Sequence, residues 1–391
     1  MREMTFNPLV ESVPPSGIRK FFDIAGSIAN VISLGIGEPD FVTPYHIRSA
    51  VMDSLMDGET QYTANYGLIE LRREIAGYLS SRFHVTYDPE SEVLVTVGAS
   101  EAIDMVMRGL LAPGDEVILP DPGYVSYQPC VIFAGGTPVA VPTSPENGFV
   151  ITPEALESAI TPRTKAVFLA YPCNPTGAVM PLEQMQKIAE IVTKHDLLLI
   201  CDDIYIELVY DGFRQESFAS LPGMKERTIL INGFSKSFAM TGFRVGYICA
   251  PDKLLKNPAK IHQYAIMCAS RASQVAAIQA LKQGRQDNYH DIQVMRDSYD
   301  RRRRLMYNAL TDMGLACYEP RGAFYLFPSI AGTGMDSDTF CERLLKEQAV
   351  VCIPGTAFGA CGEGFIRCCY ATDIDKMGEA FQRMRVFLGR D

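Results

Sequence analysis

The sequence predicts an α/β protein, with a large domain built on a mostly parallel sheet of about seven strands and a smaller α+β unit at the end of the chain. Three observations carry that expectation. From Val93 onward short β-rich runs alternate with helix-length segments: Val93 to Val97, Glu116 to Pro120, Thr137 to Val141, Ala166 to Ala170, Leu197 to Cys201, Thr228 to Ile231 and Val245 to Ala250. All are apolar on both parities, the pattern of strands covered on two faces by helices. Polar punctuation follows the runs: Gly98-Ala-Ser-Glu-Ala, Asp121-Pro-Gly-Tyr124, Tyr171-Pro-Cys-Asn-Pro-Thr-Gly177, Asp202-Asp-Ile-Tyr205 and Lys236. These separate segments are expected to meet beyond the carboxyl ends of the strands, where such sheets bind ligands.

Ahead of the first run, Pro14-Pro-Ser-Gly-Ile-Arg-Lys-Phe-Phe-Asp-Ile-Ala25 reads as a turn and a short amphipathic helix, with Ser16 as its cap. Val31-Ile-Ser-Leu-Gly-Ile-Gly-Glu-Pro-Asp40 is a brief strand running into a Gly-x-Gly-x-Pro loop. On its residues alone that loop is a plain tight turn, although backbone can approach a ligand closely there. A helix from His46 to Met56 leads to Gln61-Tyr-Thr-Ala-Asn-Tyr-Gly67 and a second helix from Leu68 to Ser81; Tyr62 and Tyr66 lie in the loop between, free to serve a ligand or a partner. Beyond Lys253 the chain turns helical, and Arg301 to Arg304, on a helix from Asp291 to Leu310, are read as facing water. The final unit comprises Ala323-Phe-Tyr-Leu-Phe327, a helix from Ser337 to Gln348, Val350-Val-Cys-Ile353 and Gly364-Phe-Ile-Arg-Cys-Cys-Tyr370. Pro320, Gly322, Pro354 and Gly355 mark its corners, and the chain contains no internal repeat or low-complexity segment.

Composition sets outer limits. A chain of 391 residues, 47% hydrophobic and 21% charged, can bury a large core and divide into two domains. Its formal charge is 36 − 46 = −10 with no basic block, which leaves no electrostatic footprint for nucleic acid or an anionic membrane. The leading Met1 to Pro8 lacks the apolar core of a secretory signal and no apolar run approaches a membrane span, so the cytoplasm is expected. Eleven cysteines, an odd number scattered without a C-x-x-C pair, suggest neither a disulfide framework nor a metal site. They read as reduced, mostly buried, small apolar residues.

One stretch carries chemistry: Asn232-Gly-Phe-Ser-Lys-Ser-Phe-Ala-Met-Thr-Gly-Phe-Arg-Val-Gly246. A lysine just past an apolar run is either one more surface charge or, in a pocket beside other cations, an amine that sheds its proton and becomes a nucleophile. The stretch by itself does not decide between the two. Taken together, Ser235-Lys236 with Met240, Gly242, Arg244 and Gly246, Asn174-Pro-Thr-Gly177, Asp202-x-x-Tyr205 and Phe365-Ile-Arg367 resemble the class I/II aminotransferases. These belong to the aspartate aminotransferase superfamily, of the pyridoxal-phosphate fold type I. The likeness runs from roughly Ser12 to the C-terminus, and the wording around Ser16 to Ala25 and Ser33 to Phe41 is most similar to prokaryotic aromatic and broad-specificity members.

The resemblance implies a role for each matching residue. Lys236 would bond the aldehyde of pyridoxal 5′-phosphate and, once displaced by substrate, shuttle a proton between substrate Cα and cofactor C4′. Asp202, chosen over Asp203 because the Asp-x-x-Tyr spacing then gives Tyr205, would keep the pyridine nitrogen protonated. Tyr205 and Asn174 would hydrogen-bond the ring's phenolic oxygen, and Tyr124 would stack on its face. Backbone amides at Ala99 and Ser100, with Ser235 and Arg244, would hold the phosphate, and Tyr62 would reach across to the partner subunit's phosphate in a homodimer with shared sites. Arg367, helped by the Gly37 amide and Asn174, would grip the α-carboxylate. No metal is implied. The same resemblance divides the chain into 1–45, a segment joining the small domain, 46–284, the large cofactor-binding domain, and 285–391, the rest of the small domain.

The expected activity is therefore ping-pong transfer of an amino group from an aromatic or broad range of L-amino acids to a 2-oxo acid, 2-oxoglutarate first. Ser100 stands where aspartate-using members carry a lysine, which weakens a dicarboxylate preference; Arg271 either substitutes for it or is an interface or surface residue. Two other readings share the fold. Carbon-sulfur β-lyases use the same lysine, although Asn-Gly-Phe-Ser-Lys and Phe-Ile-Arg lean to transamination. Cofactor-sensing regulators join such a fold to a DNA-binding domain; here the fold is expected to begin within about twenty residues of Met1, leaving no room for one, and the lysine, acid and carboxylate clamp argue for turnover.

Overall fold

The computed structural model describes residues 6–26 and 28–390. The reading of Met1 to Pro8 as lacking a secretory signal therefore falls mostly outside the described residues. In chain order the first elements are α1 (Pro8–Glu11), α2 (Gly17–Ala25), β1 (Ile32–Ser33), α3 (Tyr45–Met56) and α4 (Ile69–Phe83). There follow β2 (Val93–Thr96), α5 (Gly98–Leu110), β3 (Glu116–Asp121), α6 (Tyr127–Phe133), β4 (Thr137–Pro142), α7 (Pro153–Ala159), β5 (Thr164–Leu169), α8 (Leu182–Lys194), β6 (Leu198–Asp202), β7 (Thr228–Gly233) and β8 (Gly246–Cys249). Strands β2 to β8 form one seven-stranded sheet in the order β2-β8-β7-β6-β5-β3-β4. Only β8 runs antiparallel to its neighbours within it.

The two-sided apolar pattern has a direct structural cause. Along β5, Ala166 and Phe168 join a core with Ile103 and Val106 of α5, while Val167 and Leu169 join another with Ile188 and Val192 of α8. Successive residues point to opposite faces, so both parities must be apolar when helices cover both. Each fully buried Val, Leu, Ile or Phe contributes about 1.5–3 kcal/mol relative to exposure. The exception is β4, where only Val141 is fully buried. It is an edge strand whose composition is apolar but whose faces are not both covered, contrary to the expectation for that run.

The chain continues through α9 (Asp252–Ala265), α10 (Arg271–Asp287), α11 (His290–Asp312), β9 (Tyr325–Leu326), α12 (Ser337–Gln348), β10 (Val350–Val351), β11 (Ile353–Pro354), β12 (Ile366–Cys369) and α13 (Ile374–Leu388). The N-terminal β1 pairs in parallel with β10, and β11, β12 and β9 form an antiparallel sheet, so the two ends of the chain pack together. The Arg301 to Arg304 expectation needs correction. Arg303 is 1% exposed and its guanidinium bonds Asp300, Asp211, Glu319 and the Pro320 carbonyl, while Arg302 pairs with Asp40 at 2.7 Å. A guanidinium with several anionic and carbonyl acceptors from distant segments can be buried where an unpaired one could not. Among the described residues all the cysteines are free, seven of them buried, and no group of side chains is placed to hold a metal.

Candidate active site

A cavity of about 500 Å³ lies at the carboxyl ends of the large-sheet strands and is closed by β9, β12 and the loop after β1. Gly37, Ala99, Ser100, Tyr124, Asn174, Asp202, Tyr205, Ser235, Lys236, Arg244 and Arg367 all line it. All five punctuating segments of the sequence thus contribute to one chamber. The Gly35 to Glu38 loop is part of the wall and not merely a turn.

One end of the cavity is built for an anion. Helix α5 begins at Gly98, whose φ of 75° suits glycine. Its first amides have no partners within the helix and carry the positive end of the dipole. Strand β8 approaches closely: a Cβ on Gly246 would lie 2.7 Å from the Ala99 nitrogen. Arg244, held in the left-handed region with φ 49°, places its guanidinium beside Gly98, where an added Cβ would be 2.7 Å away. The Ser235 hydroxyl completes a set suited to a phosphate monoester.

The other end presents a carboxylate. Asp202 closes β6 and is 4% exposed; it accepts hydrogen bonds from the Tyr127 hydroxyl at 2.9 Å and the Ile204 amide at 3.2 Å. Burial pushes its pKa up to about 6, against the pull of Tyr127, Ile204 and Lys236. Asp203 turns to the other side of the strand, bonds Ser217 at 2.9 Å and is raised to about 7, also by burial. Strand alternation thus brings Asp202, and not its neighbour, into the cavity.

Between the two ends stands Lys236, just beyond β7. Its Nζ donates to the Gly37 carbonyl at 2.6 Å and lies over the rings of Phe324 and Tyr205, 5.6 and 5.9 Å from their centroids. Burial is the chief cause that lowers its pKa to about 8, with Arg367 and Arg244 adding repulsion and Cys369 and Glu38 opposing. Below pH 8 the amine is charged and unreactive, above it neutral and nucleophilic. Acylation of Lys236 in cofactor-free protein by an amine-directed reagent should therefore rise with a midpoint near pH 8, read by peptide mass spectrometry. A midpoint near the ordinary 10.5 would show that the pocket does not depress it.

Arg367 forms the third anchor. It is 3% exposed, donates from Nη1 to Asn174 Oδ1 at 2.9 Å and from Nη2 to the Gly35 carbonyl at 2.7 Å, and is sandwiched between Tyr325 and Phe358 at 4.5 and 4.7 Å. Its Nε is buried without a partner. A buried guanidinium with donor capacity to spare is suited to a carboxylate. A Cβ at Gly37 would collide with the Tyr325 hydroxyl, so any larger residue there would require that ring to shift.

Tyr62, expected to serve the partner subunit's site, and Arg271, read as a substitute cation or an interface or surface residue, lie outside this cavity. Tyr62 is 80% exposed on the α3–α4 loop and does not line the cavity. Arg271, the first residue of α10, pairs with Glu59 at 3.4 Å. Conversely, Tyr127 and Tyr325 line the cavity and were not among the expected site residues; Tyr325 also hydrogen-bonds Tyr205, hydroxyl to hydroxyl, at 2.8 Å. Tyr127 carried a signal, three residues after Tyr124 at a helix start. Tyr325 carried none, since Ala323 to Phe327 reads as core. A larger groove of about 940 Å³ shares Ile18, Tyr124 and Tyr127 with the cavity.

Comparison with known proteins agrees with this chemistry. The family model for aminotransferase class I and II matches residues 29–384. An aspartate aminotransferase of Pyrococcus abyssi is 45% identical, covering 98% of both chains. Aromatic-amino-acid aminotransferase 2 of Thermococcus litoralis is 43% identical, also covering 98% of both. The crystal structure of an aromatic aminotransferase from Pyrococcus horikoshii superposes with a TM-score of 0.90 at 44% identity, covering 95% of this chain and 98% of that one.

Proposed function

Starting from a chain that belongs to the class I and II aminotransferases, which depend on pyridoxal 5′-phosphate, we propose that its amino donors are an aromatic or broad range of L-amino acids and its acceptor a 2-oxo acid, 2-oxoglutarate first. The observation that carries the reading is the placing of Lys236 between an anion cradle, a buried carboxylate and the Arg367 fork in one chamber. The residues fit the cofactor: amides of Ala99 and Ser100 with Ser235 and Arg244 for its phosphate, Asp202 for its ring nitrogen, Tyr124 for its ring face, Tyr205 and Asn174 for its phenolic oxygen. When bound, the cofactor supplies an electron sink for charge left at the substrate Cα.

The protein's own residues then do the rest. Arg367, steadied by Asn174 and Gly35, holds the α-carboxylate with the Gly37 amide. Lys236 Nζ would take the proton from the substrate Cα and hold it for return beside the bound cofactor, a role that an amine with a pKa of about 8 serves through its neutral fraction. Tyr127 orients Asp202 and favours its charged form. Among the described residues three cations line the cavity, Lys236, Arg244 and Arg367, and each has a task in this reading. Glu38 adds a negative charge, and Ser100 at the exposed mouth offers a hydroxyl where a second carboxylate would want a cation. The adjoining groove gives room for a bulky side chain. An acceptor's distal carboxylate would reach the solvated mouth.

The test is a half-reaction: holo-protein with L-phenylalanine, L-aspartate or L-cystathionine, no 2-oxo acid present. Stoichiometric pyridoxamine phosphate with one 2-oxo acid, fastest from phenylalanine, supports the reading. Catalytic release of pyruvate and ammonia from cystathionine would make the protein a β-lyase instead.

The proposal extends to a homodimer, with residues 46–284 as the cofactor domain, 285–391 with 1–45 as the second domain, and the cytoplasm as location; among the described residues no helix is long and apolar enough to cross a membrane. What supports the dimer is a number of exposed apolar side chains: Tyr45, Leu55 and Met56 on α3, Tyr62 on the loop after it and Tyr264 near the end of α9. Tyr62→Phe is expected to weaken cofactor binding about tenfold, the worth of one hydrogen bond to a charged group, with no change in the sedimentation coefficient of the dimer. Unchanged affinity by equilibrium dialysis would remove the cross-subunit contact.

A further inference from the structure

The residues Gly355 to Gly362, between β11 and β12, carry Phe358, whose ring covers one face of the Arg367 guanidinium. On one side this loop is tied to elements near the chain ends: Thr356 Oγ1 donates to Asp338 at 2.8 Å, and Ala357 packs against Gly17 of α2. On the other side it is tied to the end of β3, 239 residues away in sequence. There the Asp121 carboxylate, buried, accepts from the Ala360 amide at 3.1 Å through Oδ2 and from the Cys361 amide at 3.3 Å through Oδ1. The Gly123 amide donates to the Phe358 carbonyl at 2.9 Å.

The fit around this carboxylate is close. Gly359 has φ 133°, a conformation L side chains rarely adopt, and a Cβ there would collide with Asp121 Oδ1. Two successive amides converge on the two oxygens of one carboxylate, a charge-assisted arrangement that tolerates little displacement. Burying a carboxylate against amides is costly unless those bonds are kept. Three residues beyond Asp121 stands Tyr124, in the cavity wall. The contact therefore links the wall expected to carry the cofactor ring to the wall expected to carry the substrate carboxylate.

We propose that Asp121 is a positioning residue of the carboxylate clamp: it fixes the Gly355–Gly362 loop against the end of β3, and through Phe358 sets where the Arg367 guanidinium stands relative to Tyr124. The proposal rests on reading Arg367 as the carboxylate ligand. Without the clasp, the loop keeps Asp338, Gly17, the Phe358–Arg367 stack and the single Gly123–Phe358 backbone bond, but loses the two amide bonds that fix its register against the end of β3. Carboxylate binding then suffers while the fold and the cofactor pocket persist.

Two variants attack the contact from opposite sides. Asp121→Asn turns one acceptor into an amide donor facing an N–H, and Gly359→Ala pushes a methyl group onto Oδ1. Each is expected to raise the KM for the fastest amino acid about tenfold, with unchanged cofactor absorbance and a kcat within about threefold. The single-turnover rate with the corresponding decarboxylated amine, which presents no carboxylate to Arg367, should not change. The double variant should be no worse than the poorer single one, since both break one contact. Equal losses on amine and amino acid, additive effects, or failure of both variants to fold would overturn the proposal, because each would mark a general structural role. Arg367→Lys is measured alongside. If it leaves the amino-acid KM unchanged, the carboxylate reading has failed, and that result is distinguishable from failure of the clasp.

Discussion

Lys236→Ala is expected to lower single-turnover amino transfer by at least about 10⁴-fold, because it removes both the nucleophile and the group that moves the proton. The argument starts from position. The lysine lies three residues past the end of β7, whose pairing on both sides anchors the turn that carries it. Its Nζ reaches the Gly37 carbonyl and has the Asp202 charge near enough to act on that carboxyl. No other amine lines the cavity among the described residues. The cofactor should still bind, since the α5 amides, Ser235 and Arg244 do not depend on the lysine. Stopped-flow absorbance with phenylalanine, and mass spectrometry for retained cofactor, separate loss of chemistry from loss of binding. A rate within tenfold of the parent would remove the lysine from the centre of the reaction.

What the sequence made legible follows from how each feature is encoded. Strands buried on both faces spell themselves as continuous apolar runs, and every such run became a strand of the large sheet. The same spelling could not report that β4 lies at an edge, because coverage depends on a neighbouring strand and not on the run itself. Lys236, Asp202 and Arg367 were singled out only by the joint likeness of several motifs to the class I/II aminotransferases, since each residue alone left a surface or structural alternative open. Tyr325 and Phe358 were not, since an aromatic ring in an apolar stretch has the same spelling whether it fills a core or flanks a guanidinium. The burial of Arg303 was hidden for another reason: Asp211, one of its acceptors, is 92 residues away. Local charge pattern cannot reveal such a partner. Asp121 belongs to the same class, half of a contact whose other half is in the last tenth of the chain.

Asp202→Asn is expected to slow the half-reaction about 10³-fold while leaving the cavity intact, the size of effect seen when one preorganised charge-stabilising group is removed. The substitution keeps the shape of the side chain and an oxygen able to accept from Tyr127 or the Ile204 amide, so packing around β6 should survive. What it removes is the negative charge that would hold a protonated ring nitrogen, and with it the sink for charge at Cα. The pH behaviour supplies an independent check. Burial raises the pKa of Asp202 to about 6, so in cofactor-free protein it is charged above that pH and neutral below it. Affinity for the cofactor should therefore fall as pH drops through about 6 in the parent, and that limb should be missing from the Asp202→Asn variant. The parent's fold responds with the opposite sign: a carboxyl easier to protonate when folded than when unfolded costs stability as pH rises from 3.8 towards 6. The amide that replaces it cannot ionise, so the cofactor-free variant should be the more heat-stable of the two at pH 7 and lose that advantage near pH 4. Equal stability at both values, together with an unchanged half-reaction, would place the ring-nitrogen partner at another residue.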